Sequence, residues 1–124
     1  MDTRAKILDA GAAQAAADQA RRAGKRIALV AGFFDPLLAA HARRLREIAA
    51  DGAVLFVSIR EPERPLLPAR ARAELVAALG VVDYVVLGEA PLAPDAVYRE
   101  ESADARRTEE WIRRVQERQG QARG

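Results

Sequence analysis

Apolar positions in this chain come in two kinds of run. Arg26–Ala31 (RIALVA), Ala53–Ile59 (AVLFVSI) and Val81–Leu87 (VVDYVVL) are short and mostly apolar, the pattern of strands covered on both faces. Between them the period changes. Leu45, Ile48 and Ala49 recur at helical spacing among Arg43, Arg44, Arg46 and Glu47, and Leu75, Val76 and Leu79 mark a second amphipathic helix over Ala69–Leu79. Gly32, Asp51-Gly52 and Gly80 punctuate these runs, and Arg60–Pro68 (REPERPLLP) is a loop held extended by its prolines. Residues 3–23 are Ala-rich and predict one helix, capped by Asp2 or Thr3, closed at Gly24 and striped thinly by Ile7 and Leu8. After Leu87, APLAPDA excludes a regular helix. Ala96–Arg99 predicts a short fourth strand, and Ser102–Gln119 a charged helix with Trp111, Ile112 and Val115 as its apolar stripe, followed by a tail expected to fray from Gly120.

Alternating strands and helices imply parallel βαβ units. The expected architecture is therefore a Rossmann-like three-layer α/β/α domain with a small parallel sheet, the second strand lying beside the first. One domain is expected over residues 1–124: an N-terminal helix (1–24), an α/β core (25–99) and a C-terminal helix (102–119). Ligands in such sheets bind beyond the C-terminal strand ends, here near Gly32, Ile59 and Leu87.

Composition narrows the chemistry. Aromatic residues are only 5% of the chain, so the core must be built from Ala, Val, Leu and Ile. The formal charge of +2 provides no strong basic field, and the aromatic platform used for stacking bases is absent, so a nucleic-acid partner is not expected. With no cysteine and one histidine, a thiolate or zinc site is not expected either. No apolar run approaches membrane-spanning length and no signal-like segment opens the chain, so the expectation is a cytoplasmic protein with no membrane partner.

The candidate chemistry centres on Arg26–Ala50. A strand, a glycine and a helix N-terminus form an anion site, because free backbone N–H groups and the helix dipole converge there. His41, the only histidine, falls at that first helical turn. Arg64 and Arg72 are cations in loops and helix starts near the strand ends. They stand in an arginine-rich chain, where Lys6 and Lys25 are the only lysines among 20 basic residues.

GFFDPLLAAH, from Gly32 to His41, resembles the signature of the cytidylyltransferase-like nucleotidyltransferases: glycine, any residue, Phe-Asp, two residues, then His-x-Gly-His. Gly32, Phe34, Asp35 and His41 match. The stretch Arg64–Val86 (RPLLPARARAELVAALGVVDYVV) resembles a second family block through Arg64, Pro65, Pro68, Arg72, Ala73, Glu74, Leu79, Val82, Asp83 and Tyr84. The likeness covers roughly residues 24 to 87 and is nearest to the ADP-heptose synthase type, which adenylylates a sugar 1-phosphate. It implies that AMP or CMP passes from ATP or CTP, with Mg²⁺, to a phosphorylated acceptor. It implies catalytic roles for His41 and Arg72. It also implies nucleotide contacts from Lys25, Gly32, Phe33, Phe34, Asp35, Arg64 and Thr108.

The signature is altered at two points. Leu38 stands where the first histidine belongs and Ala40 where the glycine belongs. In the late segment ARRTEEWIRRV only Thr108, Ile112 and Arg114 keep the family register, Glu109 would repel a phosphate, and relatives carry about a further strand and helix before it. The alternative is therefore a catalytically degenerate paralogue, a pseudoenzyme serving as a nucleotide-binding, structural or regulatory module. Trp111 on a charged helix, with the small core, leads to the expectation of a homodimer.

Overall fold

The computed structural model describes residues 2–123. Asp2 caps a single 3-10 turn, Thr3–Lys6, and the chain then enters strand β1, Ile7–Leu8. This corrects the expectation of one helix over residues 3–23. Ile7 and Leu8 face opposite sides of a sheet, and each packs against a different core cluster. The pairs Ile7↔Val85 and Leu8↔Val86 place the segment against another strand. Helix α1, Ala10–Arg22, begins only afterwards, where the Asp9 carboxylate accepts the Ala12 N–H at 2.7 Å.

The remaining elements follow the hydrophobic runs closely. They are β2 (Ile27–Gly32), α2 (Ala39–Ala49), β3 (Val54–Ile59), α3 (Ala69–Ala77), β4 (Tyr84–Leu87), β5 (Ala96–Arg99) and α4 (Glu101–Arg123). The last helix starts one residue before the expected Ser102 and runs past Gln119, through the stretch expected to fray. All five strands are parallel, in the order β1-β4-β3-β2-β5. β2 and β3 pair from Ile27↔Val54 to Gly32↔Ile59, so the second expected strand does lie beside the first.

Strand alternation sends side chains into two layers. Ala28, Val30, Leu55 and Val57 meet Leu45 and Ile48 of α2 and Ala73, Val76 and Ala77 of α3. Ile27, Phe56 and Val86 meet Ala13 and Ala17 of α1 on the other face. Those two alanines are fully buried one helical turn apart, and their small side chains let α1 lie close to the sheet. The result is the expected three-layer α/β/α arrangement. Two aspartates lock the strand starts: Asp95 accepts the Ile27 N–H and Asp83 the Leu55 N–H, each at 2.8 Å.

From β2 the chain steps outward through β3 and β4, then returns to place β5 on the other flank of β2. The reversal makes a crevice between the loops that leave β2 and β5, where open α/β sheets bind ligands.

Candidate functional site

The loop leaving β2 turns sharply. Phe34 adopts a left-handed conformation (φ 48°) and is buried, and the Asp35–Pro36 peptide is cis. Asp35 does not face the crevice. Its two carboxylate oxygens accept the backbone N–H groups of Leu66 (2.6 Å) and Leu67 (2.8 Å), tying the proline-rich loop to the turn. Helix α2 begins at Ala39 with Leu38 as its N-cap, which has no side-chain acceptor to offer. His41 supplies the missing half of the cap: its Nδ1 accepts the Leu38 N–H at 2.9 Å. An imidazole nitrogen that accepts carries no proton, so the ring proton is on Nε2. His41 is buried and packs on Phe34, ring centroids 5.3 Å apart.

Nε2 points at Asp104, in the first turns of α4. Asp104 is completely buried, and Nε2 lies 3.0 Å from its Oδ1. The contact is short but misaligned, and Nε2 makes no directed hydrogen bond. The other partners of the carboxylate are all donors. Oδ2 accepts the Phe33 N–H at 2.9 Å and, at longer range, the Phe34 N–H at 3.4 Å, while Oδ1 accepts Arg107 Nη1 at 2.6 Å. Glu100 extends the network by accepting Arg44 Nε at 3.1 Å, and the Arg44 guanidinium lies over the Tyr98 ring. Gly32 completes the site. A Cβ at this position would stand 2.5 Å from Asp104 Oδ2 and 2.8 Å from the Phe34 ring, so the carboxylate approaches where only a bare backbone fits.

The other residues named from sequence serve different tasks. Arg72 reaches the same turn as His41 from α3, but it is wholly buried and its donors are committed. Nε bonds to Leu67 O, Nη1 to Phe33 O (3.0 Å) and Arg60 O (2.8 Å), and Nη2 to Glu61. It clips two loops together and aims no donor into the crevice. Arg64 and Lys25 are exposed on the 60–68 loop and after α1, respectively. Thr108 Oγ1 donates to Asp35 O at 3.0 Å and so fastens α4 to the turn. Of Gly32, His41, Arg64 and Arg72, the first two meet at Asp104, Arg72 lies behind the turn, and Arg64 faces solvent.

His41, Glu100, Asp104 and Arg107 leave no space between them for even a water molecule. Among the described residues no cluster of three or more His, Cys, Asp or Glu side chains is placed to hold a metal ion, and no helix is long and apolar enough to cross a membrane. Sequence reasoning passed over Asp104, Arg107, Glu100 and Arg44. The available signal was a run of acidic residues directly after β5, at Glu100, Glu101 and Asp104, where an anion site calls for donors.

Parts of the chain are similar to three proteins called bifunctional protein HldE. The one from Halorhodospira halophila (strain DSM 244 / SL1) is 36% identical over 89 residues, covering 64% of this chain and 19% of that protein. That from Geotalea uraniireducens (strain Rf4) is 36% identical over 95 residues, 69% of this chain and 19% of the relative. That from Syntrophotalea carbinolica (strain DSM 2380 / NBRC 103641 / GraBd1) is 40% identical over 76 residues, 54% and 16%. The chain thus spans about a fifth of the length of the curated relatives it matches. No protein-family model matches it. The matched stretches belong to a chain whose sheet is parallel and Rossmann-like.

Proposed function

We propose that this chain is a catalytically degenerate nucleotidyltransferase-like module, one that serves in binding or regulation and does not itself transfer AMP or CMP to a phosphorylated acceptor. The observation that carries the reading is the Asp104 carboxylate seated on the Phe33 and Phe34 N–H groups beside His41. An attacking acceptor and a transferring phosphoryl group need those donors free, because nucleotidyl transfer relies on positioning and on stabilising charge as it develops. A fixed carboxylate there opposes both by occupancy and by charge. Leu38 and Ala40 act in the same direction, removing one imidazole and adding a methyl group.

The test is pyrophosphate release by the purified chain with ATP or CTP, Mg²⁺ and sugar 1-phosphates. No release above background is expected, and adding Leu38→His with Ala40→Gly should not restore it while Asp104 is present. Robust turnover by the unaltered chain, abolished in His41→Ala, would overturn the reading in favour of an enzyme of the ADP-heptose synthase type using Mg²⁺ with ATP or CTP.

Self-association belongs to the same proposal. Trp111 and Val115 are 38% and 36% exposed one turn apart on α4, apolar surface on an otherwise charged helix. Light scattering at tens of micromolar should give the mass of a homodimer, and a monomer there would count against it.

A further inference from the structure

We propose that Asp104 is a built-in ligand: its carboxylate occupies an oxyanion cradle that accepts a phosphate or pyrophosphate group when α4 is displaced, so that α4 acts as an autoinhibitory strap. The inference rests on the degenerate-site reading for the identity of the crevice, but not on the absence of turnover.

Four donors converge on one point: the N–H groups of Phe33 and Phe34, the Arg107 guanidinium and His41 Nε2. Phe33, Phe34 and His41 belong to the β2–α2 segment and stay in place whatever α4 does. A single acid faces them all, and the geometry is uneven. The carboxylate serves Phe33 and Arg107 at 2.9 and 2.6 Å, but Phe34 stands off at 3.4 Å, and Nε2, fully buried, is left without a directed bond. The lone pairs of the Asp104 carboxylate are confined to one plane, and from that plane they leave Nε2 without a directed bond. A tetrahedral phosphate group carries its oxygens in three dimensions and can serve the three donors that remain when α4 takes Arg107 away: the Phe33 N–H, the Phe34 N–H and His41 Nε2. Gly32 adds an independent sign, since its missing Cβ is what admits an oxygen at that depth. Buried polar atoms are nearly always paired, so an unpaired donor aimed into a cluster of donors marks a site its present occupant fits imperfectly.

Beyond the Asp104 contact itself, few bonds hold the strap. Thr108 bonds to Asp35 O, and Arg44 pairs with Glu100 at the helix start. From Glu109 to Gly120 every residue except Ile112 is exposed. Displacing α4 therefore uncovers little apolar core, and the main loss is the Asp104 contact, which an external anion replaces. Binding of the anion and release of the helix are then linked, each favouring the other.

The experiment compares thermal unfolding of the full chain, Asp104→Ala and Asp104→Asn in chloride and in inorganic phosphate or pyrophosphate at matched ionic strength. Alanine vacates the cradle, whereas asparagine keeps it filled without the charge. Phosphate should raise the melting temperature of Asp104→Ala saturably, by about 5 °C or more, and leave the unaltered chain and Asp104→Asn nearly unmoved. Adding His41→Ala to Asp104→Ala should remove most of that response. An Asp104→Ala protein that folds but responds no more than the unaltered chain would overturn the proposal. So would failure of both Asp104→Ala and Asp104→Ser to fold in phosphate as in chloride, because the external anion then cannot replace the carboxylate. Turnover by the unaltered chain would defeat the degenerate-site reading yet leave the anion response of Asp104→Ala standing. Absence of the response would defeat the strap and leave the lack of turnover untouched.

Discussion

At the C-terminal ends of β2 and β5 the two faces of the sheet are finished in opposite ways. On the α2 face, Asp104 and Glu100 are drawn in against His41, Arg44 and Arg107 until no space remains. On the α1 face, a groove of about 360 Å³ stays open over Leu29, Ala31 and Val97, walled by Pro91 and Pro94 and rimmed by Arg60 and Arg99. The difference comes from the helix that covers each face. α4 turns back over the α2 face with an acid in its first turns, whereas α1 covers the other face mainly around Ile27, Phe56 and Val86. Small side chains at Ala31 and Ser58 leave the rest of that floor uncovered. This open groove and the residues that resemble the nucleotidyltransferase signature thus lie on different sides of the same strands.

Emptying the filled side is the most direct way to erase this contrast. Asp104→Ala leaves Arg107, His41 and two backbone N–H groups without their anion. Removing one partner of a buried charged pair typically costs about 3–5 kcal/mol, and denaturant unfolding in chloride should read a loss of that order. A loss below about 1 kcal/mol would mean that the network contributes little to holding α4.

Arg72→Ala should come next, at about 3 kcal/mol, since it strips partners from the carbonyls of Phe33, Arg60 and Leu67 at once. Arg72→Lys should recover little, because one ammonium cannot reproduce a planar fork that serves three carbonyls and a carboxylate. A fully stable lysine variant would show that charge alone matters at this position.

On the open side, Val97→Thr should change stability by no more than about 0.5 kcal/mol, because Val97 is 48% exposed. A larger loss would mean the groove is covered in solution, and light scattering of the same variant would reveal whether a second copy covers it.

The smallest effect is expected far from both sites. Hydrogen bonds from the Arg4 side chain and backbone hold the Asp2 carboxyl below the usual carboxylate range. A depressed folded-state value stabilises the fold above the unfolded-state value, and the benefit is lost as pH falls through the folded one. Asp2 is fully exposed, so Asp2→Asn should leave the neutral-pH melting curve unchanged and slightly flatten its acid limb.

Strands β2, β3 and β4 and helices α2 and α3 were legible in the chain because each carries its own apolar period between glycine and proline stops. That signal is local, and tertiary packing had only to agree with it. Gly32 was legible as a place of close approach for the same reason, a glycine between a strand and a helix start. Ile7-Leu8 was not legible as a strand: two apolar residues in an alanine-rich stretch fit a helix equally well, and only pairing with β4 selects the extended form.

Residue order alone was enough to specify the parallel α/β architecture, the crevice beside Gly32 and His41, and the two departures at Leu38 and Ala40. It left open which anion fills the crevice. Phe33 and Asp104 stand 71 residues apart, and Asp104 is one acid among several at the start of a charged helix. Selecting it required the order of the strands, the return of β5 to the flank of β2, and the phase of α4 that turns residue 104 inward and residues 109 and 110 to solvent. The same holds for Arg72, which as a sequence position is a cation near a phosphate site and in the fold is a buried clip. Charged residues carry no periodic signature of their role, since the same side chain is solvated, paired or functional according to what the rest of the chain brings within about 3 Å of it.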